Sequence, residues 1–186
     1  MKTLNKGLKV ITAGAVLACG VLGASASFAQ DKGSIARGGR LYDKWYKEIK
    51  TSTPEQSHAL YPAANEKYAS NAGANWRCKE CHGWDGKGAD GAYATGSHAT
   101  GIKGINGMAG ADPSAIVAVL TDTAHGFGDK MSADDLNDLA NFVAYGQIDM
   151  APYIAFATKT PKGAAANGEQ VFTTVCANCP GADGNL

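Results

Sequence analysis

Two cysteine pairs of identical spacing constrain this chain more than any other feature. Cys78 and Cys81 stand three positions apart, and so do Cys176 and Cys179. Such pairs serve as disulfides, metal ligands, redox dithiols or cofactor tethers. A shared zinc site would need all four thiols to converge. The pairs are 95 residues apart, far beyond the compact ligand spacing of zinc ribbons. No βαβ pattern surrounds either pair, so a thioredoxin-type dithiol is not expected.

The residue after the first pair narrows the choice. Cys78-Lys79-Glu80-Cys81-His82 is the C-x-x-C-H arrangement of covalent haem attachment. Two thiols at this spacing can each add to one of the two vinyl groups of a single haem. His82 then follows as the proximal iron ligand. Cys78, Cys81 and His82 are therefore the expected haem c site, with one haem expected. A structural disulfide is the plainer alternative.

The N-terminus supplies a compartment. Lys2, Lys6 and Lys9 precede a short apolar stretch from Val10 to Leu22, and Ser27-Phe28-Ala29 offers small residues at a cleavage site. Residues 1–29 read as a secretory signal cleaved before Gln30, which predicts a periplasmic protein. An uncleaved anchor, or a lipoprotein signal around Val16-Leu17-Ala18-Cys19, is the alternative, although Leu17 fits a lipobox poorly. Cleavage removes three Lys, no acidic residue and Cys19, leaving net charge −3 and four cysteines. No apolar run in the mature chain is long enough to span a bilayer. Without a basic excess, no nucleic-acid binding is expected.

On these residues the chain resembles the class I cytochrome c family, over about residues 34–146. The strongest part runs Cys78-Lys79-Glu80-Cys81-His82-Gly83-Trp84-Asp85-Gly86-Lys87-Gly88. The resemblance implies an all-α class I cytochrome c fold around one covalent haem, with long Gly-rich loops. Asp85 to Gly91 fits the loop that wraps the haem edge in that family. Gly38 and Tyr42 fit the glycine and aromatic that let the first helix cross closely against the last.

The local pattern predicts the helices directly. Leu41, Trp45 and Ile49 recur at helical spacing beside Tyr42 and Tyr46, so Ser34 to Ile49 reads as an amphipathic helix. Residues 51–75, with Pro54 and Pro62, read as an irregular insertion packed down by Tyr61, Tyr68 and Trp76, with His58 on its surface. Asp112-Pro113 is a helix start that Ala115 to Leu120 continues. Ser132-Ala133-Asp134-Asp135 is a capping-box-like start, followed by Leu136, Leu139, Ala140 and Val143, with Gly146 as the stop.

The sixth iron ligand is open. The family usually places a distal Met in the loop before the last helix, and here Thr121 to Met131 holds two candidates. Met131 directly precedes the cap Ser132, where an apolar residue commonly packs as a staple. His125, 43 residues after His82, suits a ligand projecting from a loop and is favoured. His98, Met108 and Met150 are lesser candidates. His125 could instead bond a haem propionate or backbone, or stand over an open iron. Two His ligands give a lower potential than His/Met.

Residues 147–167, with Pro152 and Pro161, read as a linker. A repeat then begins: Gly168-Glu169-Gln170-Val171-Phe172 parallels Gly38 to Tyr42, and Cys176 to Gly184 parallels Cys78 to Gly86. The expected organisation is a signal peptide at 1–29, a cytochrome c domain at 30–146, the linker, and a truncated second cytochrome c-like module at 168–186. The whole thus resembles a dihaem cytochrome c. Pro180 stands where a proximal His belongs, so no haem is assigned there. A fragment of a longer chain, a degenerate module with a Cys176–Cys179 disulfide and thioether-only attachment all remain open.

Charge is uneven. Residues 88–155 carry net −6, with Asp122, Asp129, Asp134, Asp135 and Asp138 in one acidic region. This is either a solvated face or a docking patch for a basic redox partner protein. The expected function is one-electron transfer between partners. The alternative is a haem subunit of a dihaem oxidoreductase, for example one resembling sulfur-compound dehydrogenases. A haem-free exported domain with disulfides is the third reading. No nucleophile–base constellation argues for an enzyme.

Overall fold

The crossing of two helices organises the molecule. The computed structural model describes residues 31–185. The readings of residues 1–29 as a signal or lipobox lie outside the described residues. The elements are α1 (Lys32–Glu48), α2 (Ala72–Asn75), α3 (Cys78–His82), a 3₁₀ turn (Asn106–Met108), α4 (Pro113–Leu120), α5 (Ala133–Tyr145), a two-residue hairpin of β1 (Ile154–Ala155) and β2 (Thr160–Pro161), α6 (Ala165–Val171), and a π turn (Phe172–Cys176).

Side chains cap the starts of α1, α4 and α5, where unpaired backbone N–H groups need acceptors. The Asp31 side chain accepts from the Gly33 N–H and starts α1. The Asp112 side chain accepts from the Ser114 N–H, with Pro113 in the first turn of α4. In α5, the Asp135 N–H donates to Ser132 Oγ and the Ser132 N–H donates to Asp135 Oδ2, completing a capping box.

α1 and α5 then meet through Gly38. A β-carbon there would run into the Asp138 carbonyl and lie 2.6 Å from Phe142 Cβ, so only glycine permits this crossing. Polar ties surround it. Arg37 pairs with Asp135 and Asp138, and Ser34 Oγ donates to Asp138 Oδ1 at 2.5 Å. Leu41, Tyr42 and Trp45 of α1 share one core with Ile116 and Leu120 of α4 and Leu136, Leu139 and Val143 of α5. Trp45 keeps its polar handle satisfied by donating from Nε1 to the Trp76 carbonyl, 2.9 Å away.

Two loops pack on this core. The Gly-rich segment after α3 lies against residues 102–105: the Ala89 N–H donates to the Ile102 carbonyl and the Ile105 N–H to the Gly86 carbonyl, both at 2.8 Å. Gly88 has φ +54°, and a β-carbon on it would come within 2.6 Å of the Gly104 nitrogen. The second loop is the insertion at residues 51–75. The buried Asn75 organises it by accepting from the His58 N–H at 2.9 Å and donating to the Tyr68 and Ala69 carbonyls.

The segment after α5 folds back rather than leading away. Gln147 donates to the Ile105 and Val143 carbonyls, Lys87 pairs with Asp149 at 2.9 Å, and the Lys87 ammonium sits 4.7 Å from the centre of the Phe156 ring. α6 and the π turn contain no buried residue. No helix among the described residues is long and apolar enough to cross a membrane.

Candidate cofactor-binding site

α3 forms one wall of a largely apolar cavity of about 510 Å³, within the usual range for ligand pockets of roughly 300–1,000 Å³. Cys78, Cys81 and His82 line it from this side. Ile102 to Ile105 close one edge, Ile116 and Leu120 of α4 and Leu139 and Val143 of α5 form the back, and His125 and Phe127 stand on the loop before α5.

His82 and His125 each have a partner for one nitrogen. His82 Nδ1 lies 2.7 Å from the Lys103 carbonyl. A carbonyl only accepts, so Nδ1 carries the proton and Nε2 keeps its lone pair. Burial holds His82 below the ordinary imidazole pKa, against the opposing pull of that hydrogen bond. His125 Nδ1 lies 3.2 Å from Asp122 Oδ1. The His125 backbone N–H donates to the same oxygen at 2.7 Å and holds the Asp122 carboxyl below its ordinary value. An ionised carboxylate also only accepts, so His125 carries a proton on Nδ1. A second partner that orients a ligating imidazole in this way is the general pattern at metal sites.

The His82 and His125 ring centres lie 6.4 Å apart, with planes 18° apart. Two imidazoles bound through nitrogen to one metal, at about 2 Å per bond, have ring centres about 6 Å apart. Cys78 and Cys81 lie beside them as free thiols, and burial pushes both up to about 12. They are therefore neutral thiols near pH 7 in the free protein. Among the described residues, no three His, Cys, Asp or Glu side chains converge to hold a bare metal ion. Two imidazoles, two thiols and an apolar chamber would suit a planar macrocycle that supplies its own equatorial ligands. Cys78, Cys81, His82 and His125 are the residues available to hold a haem.

Of the other candidates, only Met108 touches the cavity. Met131 is 6% exposed, packs in the core with Leu136, and is absent from the cavity wall. It occupies the staple position before the α5 cap. His98 stacks between Tyr68 and Tyr93 and bonds through Nδ1 to the buried Glu80 at 2.7 Å, away from the cavity. Met108 lines the cavity, whereas Met150 does not. The acidic region is partly paired internally: Asp135 and Asp138 with Arg37, Asp129 with Lys130, and Asp122 with His125, while Asp134 is exposed. Cys176 and Cys179 are exposed thiols on the far C-terminal turn.

Sequence reasoning set His58 on the surface, and this needs correction. The ring is half-buried on the cavity wall, 4.4 Å from Trp76 and 6.2 Å from Phe127 between centres. No local period marks it, because these neighbours come from 18 or more residues away in the chain. Tyr42 of α1 was legible only as a helix-crossing aromatic. Its hydroxyl also donates to the Gly83 carbonyl at 2.6 Å and fixes the end of α3.

No family model, no curated protein and no solved structure matches the chain.

Proposed function

We propose that this chain is an exported, periplasmic c-type cytochrome of class I fold that carries one electron between redox partner proteins through one covalent haem c. The observation that carries the reading is the facing pair His82 and His125, across an apolar cavity whose wall also bears both thiols of Cys78-Lys79-Glu80-Cys81-His82. A haem bound there supplies the one-electron chemistry of its iron.

The chain's own residues do the rest. Cys78 and Cys81 tether the group. The Lys103 carbonyl holds His82 in the tautomer whose Nε2 can ligate, and Asp122 orients the His125 ring through Nδ1. Leu120, Leu139 and Val143 keep water from the inner wall. Both imidazoles being available favours a saturated site, and so a carrier over an enzyme. The acidic residues Asp122, Asp129, Asp134, Asp135 and Asp138 are the proposed docking region for a basic partner. The competing dihaem oxidoreductase needs a second haem at Cys176 and Cys179, where Pro180 offers no nitrogen.

The test is the intact mass and visible spectrum of the protein purified from the periplasm of a host with haem-maturation machinery. The expected product is one haem on a chain beginning at Gln30. A haem-free product overturns the reading, and two haems favour the dihaem alternative.

A further inference from the structure

His58 carries more than a packing role. Its Nδ1 accepts from the Leu60 N–H at 3.2 Å, so its proton resides on Nε2. Nε2 lies 3.1 Å from the His125 carbonyl and donates to it. Both polar atoms of the ring are thus used, and the direction of each bond is determined.

The ring is itself anchored. The His58 N–H donates to Asn75 Oδ1 at 2.9 Å, and Asn75 lies three residues before Cys78. Trp76 and Phe127 pack against the ring, and their own rings meet edge to face at 5.5 Å. The bonds inside the His125 loop tie it to itself and to the end of α4: Gly126 N–H to Asp122 O at 2.8 Å, and Phe127 N–H to Leu120 O at 3.1 Å. The bond from His58 ties the same loop to the insertion, and through Asn75 to the segment leading into α3. The insertion thereby bridges the two sides of the cavity.

We propose that His58 is a positioning residue for His125, clamping the distal loop through the His125 carbonyl so that the His125 imidazole stays opposite His82. This rests on the functional reading above. The inserted residues 51–75 then have a purpose in the site: they keep the sixth position filled.

The test uses holoprotein with one haem and compares wild type with His58→Phe, His58→Gln and His58→Asn. Phe keeps a ring against Trp76 and Phe127 but has no donor. Gln keeps an N–H with the reach to the carbonyl, and Asn is too short. The readouts are the visible spectrum, the rate of carbon monoxide binding to the reduced protein, and the melting temperature. Wild type should be low-spin and bind carbon monoxide slowly. His58→Phe and His58→Asn should bind it roughly five- to tenfold faster, the effect of losing one hydrogen bond, with a larger high-spin share. His58→Gln should stay within about twofold of wild type. If His58→Phe is not recovered folded, the Asn and Gln pair makes the same comparison. Unchanged rates and spectra with a lowered melting temperature would mean a purely structural role and overturn the proposal. Equal acceleration in the Gln and Asn variants would also overturn it, because the N–H would then be irrelevant. A wild-type holoprotein already open to carbon monoxide overturns the clamp while leaving the haem reading intact. A wild type without haem overturns the reading itself.

Discussion

The imidazoles of His82 and His125 face one another with centres 6.4 Å apart, although 43 residues separate them in the chain. Replacing either should act differently. His82→Ala should abolish haem maturation, and a normal yield of holoprotein from it would refute the proximal role. His125→Met should retain the haem and raise its potential on the order of 0.1 V, within the roughly 0.8 V range that axial ligands command. Potentiometry checks this, and an unchanged potential and spectrum count against His125.

Asp122 should tune what His125 ligates. A carboxylate on Nδ1 makes the imidazole a stronger donor, whereas His82 has only a carbonyl there. Asp122→Asn should therefore raise the potential, by less than His125→Met does. The introduced amide oxygen could still accept from the backbone N–H groups of Ala124 and His125, as the carboxylate does. The loop should thus keep its shape, which circular dichroism would check.

Gly38 should be intolerant of substitution. Gly38→Ala forces α1 and α5 apart and should cost about 2–3 kcal/mol in urea unfolding, as overpacking does. Gly39→Ala is the comparison: its β-carbon would lie 3.3 Å from the Phe142 ring edge, a contact that a small ring shift relieves, so a smaller loss is expected. Equal losses would show that the crossing is not the cause.

The Arg37–Asp135 pair makes stability depend on pH. Burial pushes the Asp135 carboxyl up, but bonds from Ser132 and Arg37 outweigh it and hold it below its ordinary value. A carboxyl depressed in the folded state contributes stability above its unfolded pKa of about 3.9, and loses it as pH falls through the folded value. Asp135→Asn should thus be less stable than wild type by about 1–2 kcal/mol at pH 7. The gap should close in acid, as pH falls through the depressed folded value. Paired urea titrations at the two pH values measure it, and a gap that persists in acid would refute the charge argument.

Cys176 and Cys179 should be dispensable for cofactor loading. The double change Cys176→Ser with Cys179→Ser should leave the mass contribution at one haem, because Pro180 provides no ligand and the turn buries nothing. Loss of a haem on this change would identify a second attachment site.

What sequence alone determined was local. Asp112-Pro113 and Ser132 with Asp135 mark helix starts because a cap acts on N–H groups within three residues of itself. Cys78 to His82 raise the expectation of cofactor attachment because two thiols and an imidazole occupy a single turn. The glycine at 38 was legible as a crossing point only through the family resemblance, and the structure supplies the reason, since a β-carbon there would run into the Asp138 carbonyl. The tertiary structure decided the matters that depend on distant chain segments. It brought His125 rather than Met131 to the wall facing His82, since Met131 buries its side chain beside Leu136 and spends its position on the staple. It also brought His58 onto the His125 loop, through Asn75, Trp76 and Phe127. No spacing rule encodes such contacts. They exist because the α1–α5 crossing builds one core, and the insertion must bury its aromatic rings and satisfy its polar atoms against whatever surface that core presents.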